Sequence, residues 1–559
     1  MKKLLLISFI ASLLSTVEAQ RLASPLDLPL QLSGAFGDLR ANHFHAGIDF
    51  RTQGTEGHAL RAVRDGYVSR VSVAPWGYGN AVYVTHPDDS LITVYGHIQR
   101  FNSKIAAIVK DRQYKKESFA VDISFGTDEI PVKQGDIIAF SGNTGSSGGP
   151  HLHFETRDMR NGDYTDPLVY FQSRIKDARK PLVRGLMVYP IEGKGVVNGS
   201  QKSVNLPFTL DKNDDPHISA VLEAWGEIGL GIRATDRMDG TSFSYGIRDL
   251  LQTVDGVETF RINTDRFSNE ESNNINSLTD YERWSATGQF YIKTFVEPAN
   301  NTRFIASRNS GKITVNEERD YKIVIQLTDL YGNKTVVPIT VKGKKQEIMP
   351  LDTVGTTLLR WYEYNEFASP GVSLAVPLGN LYGNVRMRYG VSASSFYYSD
   401  VHVLHNKPVP LHTSAQLSIL TNKNASNPER LGIVRINQYN GRAAWIGGSF
   451  HDGWIDANIG ELGTYTVALD TIPPEIKPLE PELWVKRNKI VVKITDNLSG
   501  ISTYRGDIDG KFALFEYDGK KAQISCALDR LIPGSHRLIL TVSDRAGNKS
   551  EYTNILNIK

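Results

Sequence analysis

Three short stretches near the N-terminal end carry side chains able to hold a metal ion and move protons. The first is His45-Ala46-Gly47-Ile48-Asp49. Read as an extended strand, positions 45, 47 and 49 share one face, so His45 and Asp49 point together across a glycine that leaves room, while Ala46 and Ile48 turn to the core. The second is His151-Leu152-His153-Phe154-Glu155, again with a period of two: His151, His153 and Glu155 face one way, Leu152 and Phe154 the other. The third is Tyr95-Gly96-His97, at the end of an apolar run. A neutral imidazole paired with a carboxylate is a borderline-soft ligand set that suits zinc. Cys526 is the only cysteine, so neither a disulfide within the chain nor a cysteine-based metal site is available, and its plain reading is a small apolar residue in a strand.

Each stretch also has an ordinary structural reading. Two histidines on a strand face are often only solvated, a histidine at a strand end needs no role, and Glu155 reads equally as a solvated carboxylate. What favours chemistry is their order along the chain with glycine-rich loops between them. Ser141–Pro150 (SGNTGSSGGP) has four glycines in ten residues just before the HLH triplet, which lets the backbone turn sharply or approach a substrate.

Residues 32–170 resemble the LytM and lysostaphin-type zinc metallopeptidases. The resemblance rests on Gly34–Arg40 (GAFGDLR), His45–Phe50 (HAGIDF), Ala62–Val71 (AVRDGYVSRV), Gly77–His86 with Val94–His97, Ser141–Glu155 (SGNTGSSGGPHLHFE) and Asp166-Pro167-Leu168. It covers about a quarter of the chain, and the combination is specific although no single piece is. It implies that His45, Asp49 and His153 hold one Zn2+, leaving a position for water. It also implies that His97 and His151 act beside that water as the catalytic histidines. Glu155 is then a candidate for fixing a histidine tautomer. Two departures stand out. Residues 109–131 look inserted and would form a groove wall or a cap. Where some members carry a tyrosine before the first metal histidine, this chain has Asn42-His43-Phe44, so His43 is a stand-in donor or an exposed loop histidine.

The elements that must position these residues read as β throughout. Gly66–Val73, Asn80–His86 and Ser90–His97 alternate with a period near two and are separated by turn signals, and only Ser103–Lys110 suggests a short helix. The fold class is therefore all-β: an antiparallel metallopeptidase domain over 20–175, followed by two or more β-sandwich units. Leu327–Thr335 (LTDLYGNKT) matches Val542–Ser550 (VSDRAGNKS), and Ile232–Gly240 (IRATDRMDG) matches Val492–Gly500 (VKITDNLSG). One design thus occurs twice, over 181–343 with an insertion and over 473–559, and resembles immunoglobulin-like β-sandwiches without their cysteine pair. Between them 345–470 reads as a further β-rich module, and Asp470-Thr471-Ile472-Pro473-Pro474 as the linker out of it.

Lys2 and Lys3, the apolar run Leu4–Leu14 and the small residues around Ala19 read as a signal peptide over 1–19, cut after Ala19. With no cysteine at the cut, a lipoprotein anchor is not indicated, and no later stretch is long and apolar enough to span a membrane. Little chain then precedes the first domain, leaving no room for a long N-terminal inhibitory segment. The protein is expected to be exported, periplasmic or at the cell surface, with no transmembrane anchor after cleavage. A formal charge of +2 from 63 basic and 61 acidic residues gives no reason to expect nucleic acid as a partner. The expected substrate is the peptide part of peptidoglycan, with the β-sandwich units offering a surface for a protein partner. Two other classes compete: a non-catalytic or capped regulator of other wall hydrolases, told apart by whether the ligand set is whole, and a surface scaffold or adhesion protein.

Overall fold

Residues 22–559 are described in a computed structural model; the expected signal peptide lies outside them. The chain is nearly all β. The first sheet is built from β1 (Leu32–Gly34), β2 (Ile48–Arg51), β3 (Gly66–Val73), β4 (Asn80–His86), β5 (Leu91–Gly96), β6 (Val121–Ser124) and β7 (His151–Asp158), with one helix, α1 (Ser103–Lys116), between β5 and β6. The strands lie in the order β1-β2-β7-β5-β4-β3-β6, each antiparallel to its neighbours. Val68, Val71 and Val73 of β3 and Val82 and Val84 of β4, with Phe50, Tyr95 and Phe154, fill the face behind the site.

The register of the three middle strands matters most. On β7, His153 stands opposite Asp49 of β2 on one side and Gly96 of β5 on the other. Side chains in one cross-strand row share a face about 5 Å apart, so this register alone sets two polar groups side by side.

Helix α1 is longer than its apolar pattern indicated. The Asn102 side chain caps its N-terminus by accepting from Ile105 N at 2.9 Å. Ile105, Val109 and Gln113 form its buried stripe, and the Gln113 Nε2 donates to Phe119 O, which lets a polar residue close the stripe. The helix end and β6 account for most of 109–131, and β6 pairs with the sheet edge at β3. The segment is a platform for the C-terminal unit: Lys110 pairs with Asp529 at 2.8 Å, Glu117 with Arg505 at 2.7 Å, and Tyr114 lies 5.8 Å from Phe512 between ring centroids.

Behind the first sheet the strand hydrogen bonding does not separate into two sheets. Ten strands between residues 182 and 343 form one continuous sheet, because Leu222–Ala224 pairs in parallel with Val341–Gly343 and joins what would otherwise be two halves. Its core is continuous with that of the first domain. The join is aromatic: Phe267, fully buried, lies with ring centroids 4.9 Å from Phe36, 5.6 Å from Phe44 and 5.4 Å from Tyr164. Arg266–Phe267 also adds a short strand to Tyr164–Thr165, itself paired with β7. Residues 365–469 form two five-stranded sheets around Leu374, Leu417, Ile433 and Tyr465. Residues 475–558 form two four-stranded sheets around Trp484, Ile490, Phe515 and Leu540, with Cys526 buried on a strand among them.

Because Phe267 fills the joint beside Phe44, Phe267→Ala leaves a cavity that neither unit can close alone. Its expected cost is about 3–5 kcal/mol in chemical denaturation; a loss below 1 kcal/mol would mean that the two units do not share a core.

Candidate metal centre

The residues singled out in the sequence come together at the exposed end of β2, β7 and β5. His45 precedes β2 and is not part of a continuous 45–49 strand; a turn brings its ring over Asp49. His45 Nδ1 lies 2.7 Å from Ala35 O, and a carbonyl only accepts, so Nδ1 carries the proton and Nε2 is bare in the neutral ring. His153 Nε2 donates to Glu155 Oε1 at 2.9 Å, leaving Nδ1 bare. His151 Nδ1 donates to Gly149 O at 2.8 Å, with Ser147 Oγ at 3.2 Å. His97 Nδ1 donates to Thr144 O at 2.9 Å. Three backbone carbonyls and one carboxylate thus fix four ring tautomers.

The bare nitrogens converge on one carboxylate oxygen. Asp49 Oδ1 lies 3.1 Å from His45 Nε2, 3.0 Å from His153 Nδ1 and 3.3 Å from His151 Nε2, and the first two nitrogens are 3.0 Å apart. In this tautomer set no proton lies between these acceptors, and the site is buried, so the arrangement calls for a cation. His45, Asp49 and His153 present ligand atoms mutually within 4.8 Å, a set that His97 and His151 do not join. The electrostatics make the same demand. Where no cation is bound a proton takes its place: burial should lower His153, but the ring's hydrogen bonds to the Asp49 and Glu155 carboxylates outweigh it and raise the ring to about 9. Burial opposes charge on Asp49, yet the histidines around it, His45 first, hold its carboxyl well below the usual range. Two imidazoles and a carboxylate are the donor set for zinc, and the residues present fit that ion.

His97 and His151 flank the set, their ring centroids 4.8 Å apart. His97 has a left-handed backbone, φ 59°, which swings its ring off the line of β5 toward the other histidines. Burial, then the neighbouring His153 and His151, lowers it to about 3. The glycine loop that holds its partner Thr144 is pinned: Gly77 N donates to Ser146 Oγ at 3.0 Å and Thr144 Oγ1 to Ile98 O at 3.0 Å. Gly145 sits at φ 68°, and a Cβ there would come within 2.3 Å of Gly79 N. Gly34 is small for another reason: a Cβ on it would lie 2.4 Å from Asp49 Oδ2.

Glu155 is fully buried. Arg157 clamps it through Nη2 at 2.6 Å and Nε at 2.8 Å, and the Tyr78 hydroxyl donates to its other oxygen at 2.5 Å. Burial alone would raise its carboxyl; Arg157 and His153 instead bring it down to about 2. Tyr78 and Arg157 are site residues the sequence reading passed over. Arg157 continues the period of two beyond Glu155 and was findable. Tyr78 lies in a turn, and no pattern pointed to it. His43 is exposed, its Nδ1 bonded to Ala41 O at 2.8 Å.

An all-antiparallel sheet carrying a His/Asp cluster at one end, flanked by two further histidines, is an arrangement suited to metal-dependent hydrolysis. Residues 43–114 and 124–167 match peptidase family M23, so the chain carries an M23 (LytM-type) domain, and residues 356–470 match the Zu5-like domain. Among similar proteins is the glycyl-glycine endopeptidase ALE-1 of Staphylococcus capitis, 30% identical over 131 residues that make up 23% of this chain and 29% of ALE-1. The DD-carboxypeptidase/endopeptidase Mpg of Neisseria meningitidis is 32% identical over 22% of each chain. The chain thus spans under a third of these relatives' length. The solved catalytic domain of the M23 protein EnpA from Enterococcus faecalis is 26% identical and aligns over 26% of this chain and 95% of its own, with a TM-score of 0.20.

The clamp on Glu155 predicts a cost when it is broken. Glu155→Ala strands the half-buried Arg157 charge, and about 3–5 kcal/mol should be lost in urea denaturation. An unchanged midpoint would show that the triad of His153, Glu155 and Arg157 is not a unit. For the wild type, Glu155 is depressed in the folded state, so its contribution is full above its unfolded value and should fade as pH falls toward about 2.

Proposed function

We propose that the protein is an exported zinc metalloendopeptidase that hydrolyses peptide bonds in peptidoglycan stem peptides or cross-links. The observation that carries the reading is the convergence of His45 Nε2, His153 Nδ1 and Asp49 Oδ1 within 3.1 Å of one another. These three residues would hold the ion, and a catalytic site of this kind keeps its remaining coordination for a water and the substrate carbonyl, beside the two flanking histidines. Zinc bound there would polarise that carbonyl and lower the pKa of the water. His97 and His151 each keep a proton on Nδ1 and offer a bare Nε2, so one can take a proton from the water and return it to the leaving amine. Glu155, held by Arg157 and Tyr78, keeps the His153 ring in the ligand tautomer. The match to M23 supports the peptidase class. Glycyl-glycine and D,D-peptide bonds, named for ALE-1 and Mpg, are bonds of cell-wall peptides, which supports the wall as substrate. The signal-like N-terminus supports export. No helix among the described residues is long and apolar enough to cross a membrane.

The reading is tested by separating binding from chemistry. His153→Ala should lose zinc and cleavage of a cross-linked muropeptide together. His97→Ala and His151→Ala should keep zinc and lose roughly 10²–10⁴-fold in rate. Cleavage at the wild-type rate by His153→Ala would end the assignment.

One contact favours a second reading, a capped domain that acts only when opened. From the C-terminal unit, Lys520 Nζ donates to Asn143 O and, at 3.2 Å, to Ser147 O of the glycine loop. Trp76 packs on Gly519 and lies 6.2 Å from the Tyr517 ring. If this hairpin closes the groove, Lys520→Ala should raise cleavage of intact sacculi severalfold. A rate within about twofold of wild type would leave the open peptidase as the reading.

A further inference from the structure

The two related units share more than a strand pattern. In the first, the carboxylates of Asp177, Asp236 and Asp329 offer oxygens mutually within 4.8 Å; in the last, Asp470, Asp496 and Asp544 do the same. The positions correspond. Asp236 and Asp496 each follow a threonine at a strand end (ATD and ITD). Asp329 and Asp544 each open a hairpin turn (DLYGN and DRAGN). Asp177 and Asp470 each lie on the segment by which the chain enters the unit, four residues before a proline at 181 and 474. The wiring corresponds as well. Asn333 Nδ2 bridges Asp329 Oδ2 at 2.7 Å and Asp177 O at 3.2 Å; Asn548 Nδ2 bridges Asp544 Oδ2 at 2.7 Å and Asp470 O at 3.0 Å.

Acidic residues in a turn are common, and the bridging asparagines explain only part of each cluster. What they leave out is specific. Asp236 is 6% exposed, its carboxylate aimed at the other two, and its Oδ1 is buried without any hydrogen-bond partner. Asp177 Oδ2 is in the same state. The nearby cations pair elsewhere: Lys180 with Asp215, Arg237 with Asp214 and Arg248 with Asp166. In the last unit Asp496 Oδ1, the counterpart of Asp236, is likewise buried without a partner, as are the Ser499 hydroxyl and Asn548 Oδ1. A buried carboxylate oxygen with no donor is a costly feature, and here it recurs at the same place in both copies.

We propose that each cluster is a binding site for a hard divalent cation, calcium above all, that ties the entering linker to the strand end and hairpin of its unit. The donors are all oxygen, which disfavours zinc and suits calcium, and the spread of up to 4.8 Å matches oxygens arranged around an ion at 2.3–2.6 Å. Burial, with neighbouring carboxylates, raises Asp236 to about 8 and Asp177 to about 6. The cluster therefore binds protons where it lacks a metal. The first site lies at the exit from the peptidase domain, where Tyr331 Oη donates to Ile175 O at 2.8 Å. The second lies at the exit from the Zu5-like domain, where Asp470 ends the matched residues. Occupancy would stiffen both joints, and so the posture of the hairpin that reaches the glycine loop. The inference does not rest on the peptidase reading.

The test uses the full chain, loaded with zinc and stripped of calcium on a chelating resin, titrated calorimetrically with calcium chloride. Two ions per chain are expected, with dissociation constants on the order of 10⁻⁴–10⁻³ M, as for extracellular calcium modules. Asp236→Asn and Asp496→Asn should each remove one ion, and the double variant both. Without calcium, Asp236→Asn should melt no lower than wild type, because it replaces a buried carboxyl already held in its neutral form with a neutral amide of the same shape; with calcium, it should lack the wild-type rise in melting temperature attributable to its site. A fold-independent check uses the wild type alone: calcium should slow proteolysis within residues 172–181. No saturable uptake up to about 10 mM, roughly ten times the weakest constant expected, would overturn the proposal. So would uptake retained by a folded double variant.

Discussion

The row that runs Asp49, His153, Gly96 across three antiparallel strands is the constraint on which the site depends. It puts a carboxylate against an imidazole with no freedom to move apart, and it ends on a glycine after which the chain can turn His97 inward. Everything added to the row removes a degree of freedom from a ring. Ala35 O, Glu155, Gly149 O and Thr144 O each take one ring proton, so the remaining nitrogens face one another and Asp49. A buried group of acceptors is unfavourable in itself. It is tolerated because the sheet is rigid and because a cation converts the repulsion into binding.

The supports of the row come from unexpected distances in sequence. Ala35 and Phe44, which flank the His45 turn, are held through Phe36 and Phe267, so the unit behind the peptidase domain is part of its core. The last unit docks on α1 and reaches the glycine loop from the other side. Single ion pairs on such a surface contribute little each. The aromatic contacts, Tyr114 with Phe512 and Trp76 with Tyr517, carry more of the docking.

Much of this was legible in the residues. A period of two through His151–Glu155 set two histidines and a carboxylate on one face, and the same period reached Arg157. The all-β reading followed from short alternating runs, and the M23 match agrees with the motif resemblance. The rest was hidden for physical reasons. His45 and Asp49 meet through a turn, not along one strand, which is a different geometry from the one their spacing implied. The second half of α1 is polar because it is largely exposed, with Lys110 and Tyr114 meeting the last unit, which blurred its helical signal. The short parallel pairing at residues 222–224, which joins the strands of 182–343 into one hydrogen-bonded sheet, leaves no pattern in local sequence. The repeats TD and DxxGN were visible as turns, but only the fold shows that they meet a third aspartate from the linker.

The central claim is that this row holds zinc through two imidazoles and one carboxylate and keeps a place open. X-ray absorption at the zinc edge on the metal-loaded full chain tests it most directly. The account predicts a four-coordinate ion with two imidazole nitrogens and two or more light oxygen scatterers near 2.0–2.1 Å. His151→Ala should leave that spectrum unchanged and His153→Ala should abolish it. A first shell of three or four imidazoles, or zinc retained without His153, would contradict it.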